Sequence, residues 1–173
     1  MKHFGSIVTM IMAAWAPSAA SAAYCAGTDK TLPSYHPDYY AVPKEFGWSK
    51  FVVEAVVTSE TWLGNDGKPK PVTAPFGSGD KRPWGLAAPY VGAQYDVRII
   101  RSFKGQPPAQ VRLFSENSTA RFWLNKGERY LLFISDEVFD EPIGQAMTID
   151  TCGNSARFNR ALAGQLEALS ARR

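Results

Sequence analysis

One run constrains the fold more than any other: Arg129-Tyr130-Leu131-Leu132-Phe133-Ile134-Ser135. It is rich in aromatic and branched residues, and Asn125-Lys126-Gly127 supplies a turn just before it, so it reads as a strand. Side chains of a strand alternate between two faces, and here both faces are apolar, so both must be covered. Other strands carry a different signature. From Tyr90 to Phe103 the residues alternate, with Tyr95, Val97 and Ile99 on one face and Asp96, Arg98 and Ile100 on the other. That pattern suits a sheet with one dry and one wet face.

The remaining elements follow from local pattern. Phe51 to Glu60 is dominated by β-branched residues and reads as a first strand, Tyr90 to Phe103 as a second and Val111 to Phe114 as a third. Ala120 to Leu124 reads as a short fourth, which makes Arg129 to Ser135 the fifth. Residues 26–50, with Pro33, Pro37 and Pro43 among tyrosines, read as an irregular aromatic lead-in. Gly64 to Gly85 holds five Gly and four Pro without a period, and reads as a long surface loop. Near the end, Gly153-Asn154-Ser155 offers a helix cap through Asn154 or Ser155. Phe158, Leu162, Gln165 or Leu166, and Leu169 then recur at three-to-four spacing, the mark of an amphipathic helix whose stripe packs on the sheet. Short strands, one long loop and a terminal helix predict a mainly β domain, a small barrel or sandwich that leaves few exposed edges.

The first 22 residues read as a signal peptide. Lys2 and His3 open it, Ile7 to Ala16 forms a ten-residue apolar stretch, and Ala20-Ser21-Ala22 supplies the small residues of a cleavage site. Ten apolar residues are too few to span a bilayer, which takes about 20. Cleavage after Ala22 leaves 151 residues at a net charge of +2, since Lys2 leaves a chain of net charge +3. The expected location is periplasmic or secreted, with no stable membrane insertion after cleavage. Export gives meaning to Cys25 and Cys152, the only two cysteines. An oxidising compartment lets such a pair close, and a loop of that length stabilises by roughly 5 kcal/mol on the chain-entropy model. The alternatives are a catalytic or metal-binding thiol.

Candidate chemistry is thin. His36 is the one histidine after the signal peptide, flanked by Ser34 and Asp38. A hydrolase or metal-assisted enzyme would have to use it with a nearby carboxylate, whereas a metal site needs several clustered ligands. Asp136-Glu137 and Asp140-Glu141 fall after the fifth strand and read as a solvated acidic turn rather than a cation site. Neither a cofactor nor a metal is expected. Asn117-Ser118-Thr119 fits a glycosylation pattern. In the 61–88 segment, Lys68, Lys70, Lys81 and Arg82 are interleaved with Trp62, Phe76 and Trp84. Basic and aromatic residues together can serve single-stranded nucleic acid, but export and a small net charge argue against that partner. A contact surface for a protein or glycan fits better, because exposed aromatics favour interfaces.

Four segments taken in order carry a resemblance: Phe51 to Glu60; Tyr95 to Gly105, ending in Phe103-Lys104-Gly105; Leu124-Asn125-Lys126-Gly127-Glu128-Arg129-Tyr130 and the strand it opens; and Cys152-Gly153-Asn154-Ser155. In that order and spacing the chain resembles bacterial proteins similar to tissue inhibitors of metalloproteinases, over most of residues 25–170. The resemblance implies a netrin-like, OB-type fold: a small closed five-stranded barrel with a C-terminal α-helix, residues 23–173 forming one domain with a loop insertion near 61–88. Animal members place the amine of a leading cysteine on a protease zinc, and Cys25 is the matching position. Here Ala23 and Tyr24 precede it and Gly27 stands where those inhibitors have a second cysteine. The barrel carries over better than that activity. The expectation is a non-enzymatic exported binding domain, protease-inhibitor-like or envelope-associated, acting through the 61–88 loop and one barrel rim.

Overall fold

The structure, a computed structural model, describes residues 41–72, 89–117 and 122–172. The signal peptide, Cys25, His36, Phe76, Lys81, Arg82 and Trp84 lie outside the described residues. The elements in chain order are α1 (Val42–Trp48), β1 (Phe51–Gly64), β2 (Tyr90–Lys104), β3 (Gln110–Glu116), β4 (Arg129–Val138), β5 (Gln145–Ile149), β6 (Ala156–Arg157) and α2 (Arg160–Ser170).

Five strands follow one another in a ring, β1-β2-β3-β5-β4 and back to β1. All pairings are antiparallel except β3 with β5, which run parallel and meet at one register pair, Leu113 with Met147. The two-residue β6 lies on β4 beside Tyr130 and Leu131. The β1–β2 ladder shifts register at four places. Such irregularities bend and twist long strands, which lets one strand pair with β2 along its length and with β4 along its first half.

The strand with two apolar faces explains the layers. Tyr130, Leu132 and Ile134 of β4 point into the ring, where they join Val53, Ala55, Val57, Tyr95, Val97, Val111 and Leu113. Leu131 and Phe133 point outward into a second core with Val52, Phe103, Phe46 of α1, and Ala163 and Leu166 of α2. Each outward side chain is at most 1% exposed, and burial of that kind stabilises by roughly 1.5–3 kcal/mol per side chain. The alternation expected in β2 is present: Tyr95 and Val97 are buried while Arg98 and Ile100 are exposed.

Three expectations need correction. Residues 122–124 form no strand; they are apolar because they plug the ring. Leu124 is 1% exposed, Phe122 sits edge-on to Tyr130 and Trp123 lies against Trp62. The fifth strand of the ring is β5 instead, a segment expected only to lead to Cys152. Secondly, the lead-in contains a helix. Pro43 stands in the first turn of α1, where a missing N–H costs nothing. Thirdly, Asn154 and Ser155 do not cap α2. Asn159 does, its Oδ1 accepting from the Leu162 N–H at 2.8 Å, while the Ser155 hydroxyl accepts from the Phe133 N–H at 2.9 Å.

Candidate binding surface

The long loop begins as an ordered arm. Past Gly64 the chain turns at once: the Gly67 N–H donates to the Gly64 carbonyl at 2.8 Å, the Lys68 N–H to Asp66 Oδ1 at 3.1 Å, and the Gly64 N–H to the Lys68 carbonyl at 2.9 Å. The arm then returns along β1. Pro69 bridges Leu63, the Lys70 N–H donates to the Trp62 carbonyl at 2.8 Å, and the Tyr90 hydroxyl donates to the Pro71 carbonyl at 2.8 Å. Residues 68–72 are exposed along this path, with the Lys70 ammonium 5.7 Å from the Tyr90 ring centre. Pinned at these points, the arm holds Lys68, Lys70, Pro71 and Val72 outward on a fixed backbone.

Trp62, expected among the contact residues, is a core residue. It is 5% exposed and packs edge-on to Tyr90 at 5.7 Å. The reason is a register shift between Val57 and Ser59. It switches the phase of β1, so that an even-numbered side chain faces the interior beyond it although Val53, Ala55 and Val57 do so before it.

The arm meets the β4–β5 loop, residues 139–144. A Cβ on Gly67 would lie 2.9 Å from Pro142 Cγ, so the two loops touch. Beneath them is a cleft of about 320 Å³ lined by Leu63, Gln94, Arg112, Phe114, Pro142 and Ile143. The Arg112 guanidinium donates to Asp96 at 2.8 Å, and the Ser59 hydroxyl donates to the same carboxylate at 2.7 Å. These two hydrogen bonds, that from Arg112 foremost, hold the Asp96 carboxyl below the usual aspartate range. Asp140 and Glu141 are exposed in the 139–144 loop, so a basic arm meets an acidic loop here. Asp136 and Glu137 belong to the end of β4 rather than to that turn. Among the described residues no group of three His, Cys, Asp or Glu side chains is placed to hold a metal ion.

Phe114 closes the side of this cleft and depends on Gly92. Its ring meets Phe139 edge-on at 4.8 Å. A Cβ at position 92 would lie 2.4 Å from the Ser115 carbonyl oxygen and 2.6 Å from the Phe114 ring. Gly92→Ala must therefore move β3 or evict the ring, and is expected to destabilise by about 2 kcal/mol. Thermal unfolding checks it; an unchanged midpoint would show that the sheet yields freely there.

The motifs behind the resemblance build structure. The Lys104 ammonium donates to the Gly47 carbonyl at 2.6 Å and to that of Ser49, which anchors the C-terminal end of α1. The Tyr130 hydroxyl donates to Glu128 at 2.7 Å and accepts from the Asn125 N–H at 3.0 Å. Glu128 also accepts from the Asn125 side chain and pairs with Arg157 at 3.0 Å, so the turn is tied to β6. Burial foremost raises the Tyr130 hydroxyl above the usual tyrosine range. In the last motif, Asn154 donates from its backbone and its side chain to Glu45 of α1, both at 2.6 Å. Cys152 sits in this turn, half-buried, its N–H donating to Asp150. No cysteine among the described residues is free.

Asn117 is no glycosylation acceptor in this fold: it is 6% exposed and its side-chain amide donates to the Tyr90 carbonyl. Among the described residues, no helix is long and apolar enough to cross a membrane. No protein-family model matches the chain, and no curated protein matches it.

Proposed function

We propose that the chain is an exported, non-enzymatic binding domain that grips a protein or glycan partner through the rim where the 65–72 arm meets the 139–144 loop. The observation that carries this reading is the arm itself. It is tied to β1 and to Tyr90 by hydrogen bonds on both sides of Lys68 and Lys70, while the side chains of residues 68–72 stay exposed. A preorganised surface loses little entropy on binding, and loops held by a rigid scaffold are common recognition sites. The ring order β1-β2-β3-β5-β4-β1, with helices before and after it, supports reading the scaffold as a closed OB-type barrel of netrin-like kind. In such barrels the loops after the first and fourth strands border the binding face. The cysteine count supports a Cys25–Cys152 bridge that ties the lead-in to the turn holding Glu45.

Double charge reversal, Lys68→Glu with Lys70→Glu, tests the rim. Both side chains are exposed, so stability should change by less than about 1 kcal/mol. Binding of a captured partner is expected to weaken about tenfold, mainly through the association rate, and to lose most of its salt dependence. Unchanged affinity would remove the arm from the contact.

A further inference from the structure

A second cleft, of about 390 Å³, opens across the outer ends of β3, β4 and β5. It is separated from the rim by the Phe114–Phe139 ring pair, Phe114 lining the first cleft and Phe139 the second. Its floor follows from register. Ile134 and Ile149 pair and belong to the interior core, so the next pair, Ser135 with Thr148, faces outward. Thr148 is 8% exposed, and neither hydroxyl has a hydrogen-bond partner among the described residues. Both hydroxyls line the cleft, so they are left to bond to whatever fills it.

The walls state the charge of that guest. Every titratable side chain lining the cleft among the described residues is a carboxylate. Asp136 is neutralised by Lys50 at 2.7 Å, and Glu45 is taken up by Asn154. Glu116 and Glu137 are exposed and carry no ion pair among the described residues. Trp48, 46% exposed, forms a further wall. Acceptor hydroxyls on the floor, unpaired carboxylates at the mouth and an aromatic face beside them are complementary to a planar cation bearing several N–H donors. We infer that this cleft receives an arginine side chain of a partner polypeptide, with Ser135 and Thr148 accepting at its base and Glu116 and Glu137 supplying the counter-charge.

The test is a titration of the intact protein with a capped peptide of alternating arginine and glycine, followed by amide chemical shifts and calorimetry. Saturable binding is expected, with shifts centred on Ser135, Glu137 and Thr148. Affinity should fall at least tenfold in Glu116→Gln/Glu137→Gln and about fivefold in Thr148→Val. Thr148→Val breaks no internal hydrogen bond, so its unfolding midpoint should not drop, and a binding loss in it reports the ligand contact rather than the fold. The Lys68→Glu/Lys70→Glu protein should bind the peptide as well as the parent does, which keeps this cleft and the rim separately testable. Equal binding of a glutamate–glycine peptide or of a neutral trisaccharide overturns the inference, as does unchanged affinity in both cleft variants.

Discussion

Leu132→Ala and Phe133→Ala are both expected to be severe, costing about 2–5 and about 3–5 kcal/mol of unfolding free energy respectively. The pair is informative because the residues are consecutive. In a strand with one wet face, one of two neighbours points to solvent and its truncation is nearly silent. Here Leu132 is fully buried inside the ring, and Phe133, 1% exposed, is buried in the outer core under the two helices. Each truncation leaves a cavity in a different core, bounded by strands on one side and by α1 and α2 on the other. Denaturant unfolding of both variants measures the effect, with an unchanged slope expected if the same surface is exposed. A cost under about 1 kcal/mol for Phe133→Ala would mean that the helices do not seal the outside of β4.

That two-faced strand was legible because its pattern leaves one solution, and β2 was legible because clean alternation leaves one as well. Other elements were hidden for identifiable reasons. Residues 122–124 are apolar like a strand, yet apolarity records burial and not pairing, and these side chains fill the end of the ring. Strand β5 has the opposite problem: Gln145 is exposed and only Thr148 and Ile149 are buried, so its pairing is set by its neighbours and not by its own composition. In α1, Pro43 and Gly47 look like breakers, but a proline in the first turn is compatible with a helix. At the rim, the lysines were legible as loop residues, whereas Trp62 was misplaced because a register shift in β1 leaves no local mark in composition. The outer cleft had no signal at all. Ser135, Thr148, Glu116 and Glu137 come from three strands, and only the ring order brings them together.

The ordered motifs point to the same division between scaffold and site. Lys104, Asn154 and Glu45 meet around α1, and Tyr130 with Glu128 ties the β4 turn to β6. These residues are buried or hydrogen-bonded within the chain, so their spacing reports how helices dock on the ring. The exposed residues of the rim and of the outer cleft lie in other positions. A shared scaffold can therefore carry different recognition surfaces, and function has to be argued from those surfaces.

Glu45 is the most consequential of the docking residues. It is 1% exposed, and it accepts two hydrogen bonds from Asn154 at 2.6 Å. A Cβ on Gly153 would lie 2.1 Å from Glu45 Oε1, so the turn after Cys152 is shaped around this carboxyl group. Glu45→Ala leaves both Asn154 donors without their acceptor and opens a void between α1 and the turn, and is expected to cost about 3 kcal/mol. The pH dependence identifies the charge. Burial is the largest influence and raises the Glu45 carboxyl above the usual glutamate range; the Asn154 hydrogen bonds lower it in part, and Asp150 adds to the rise. A folded-state value above the unfolded one means that the protonated form is favoured in the native protein. The corresponding stability is fully present below the unfolded value, about 4.3, and is lost as pH rises through the folded value. Glu45→Gln keeps an acceptor for Asn154 and cannot ionise. The stability of the parent relative to Glu45→Gln should therefore decline as pH rises from about 4 toward neutrality, opposite in sign to the contribution of Asp96, whose lowered value adds stability as pH rises. Denaturant unfolding of both proteins across that range measures the difference. A flat or rising difference would show that Glu45 is held as a well-compensated carboxylate, with the Asn154 donors outweighing burial.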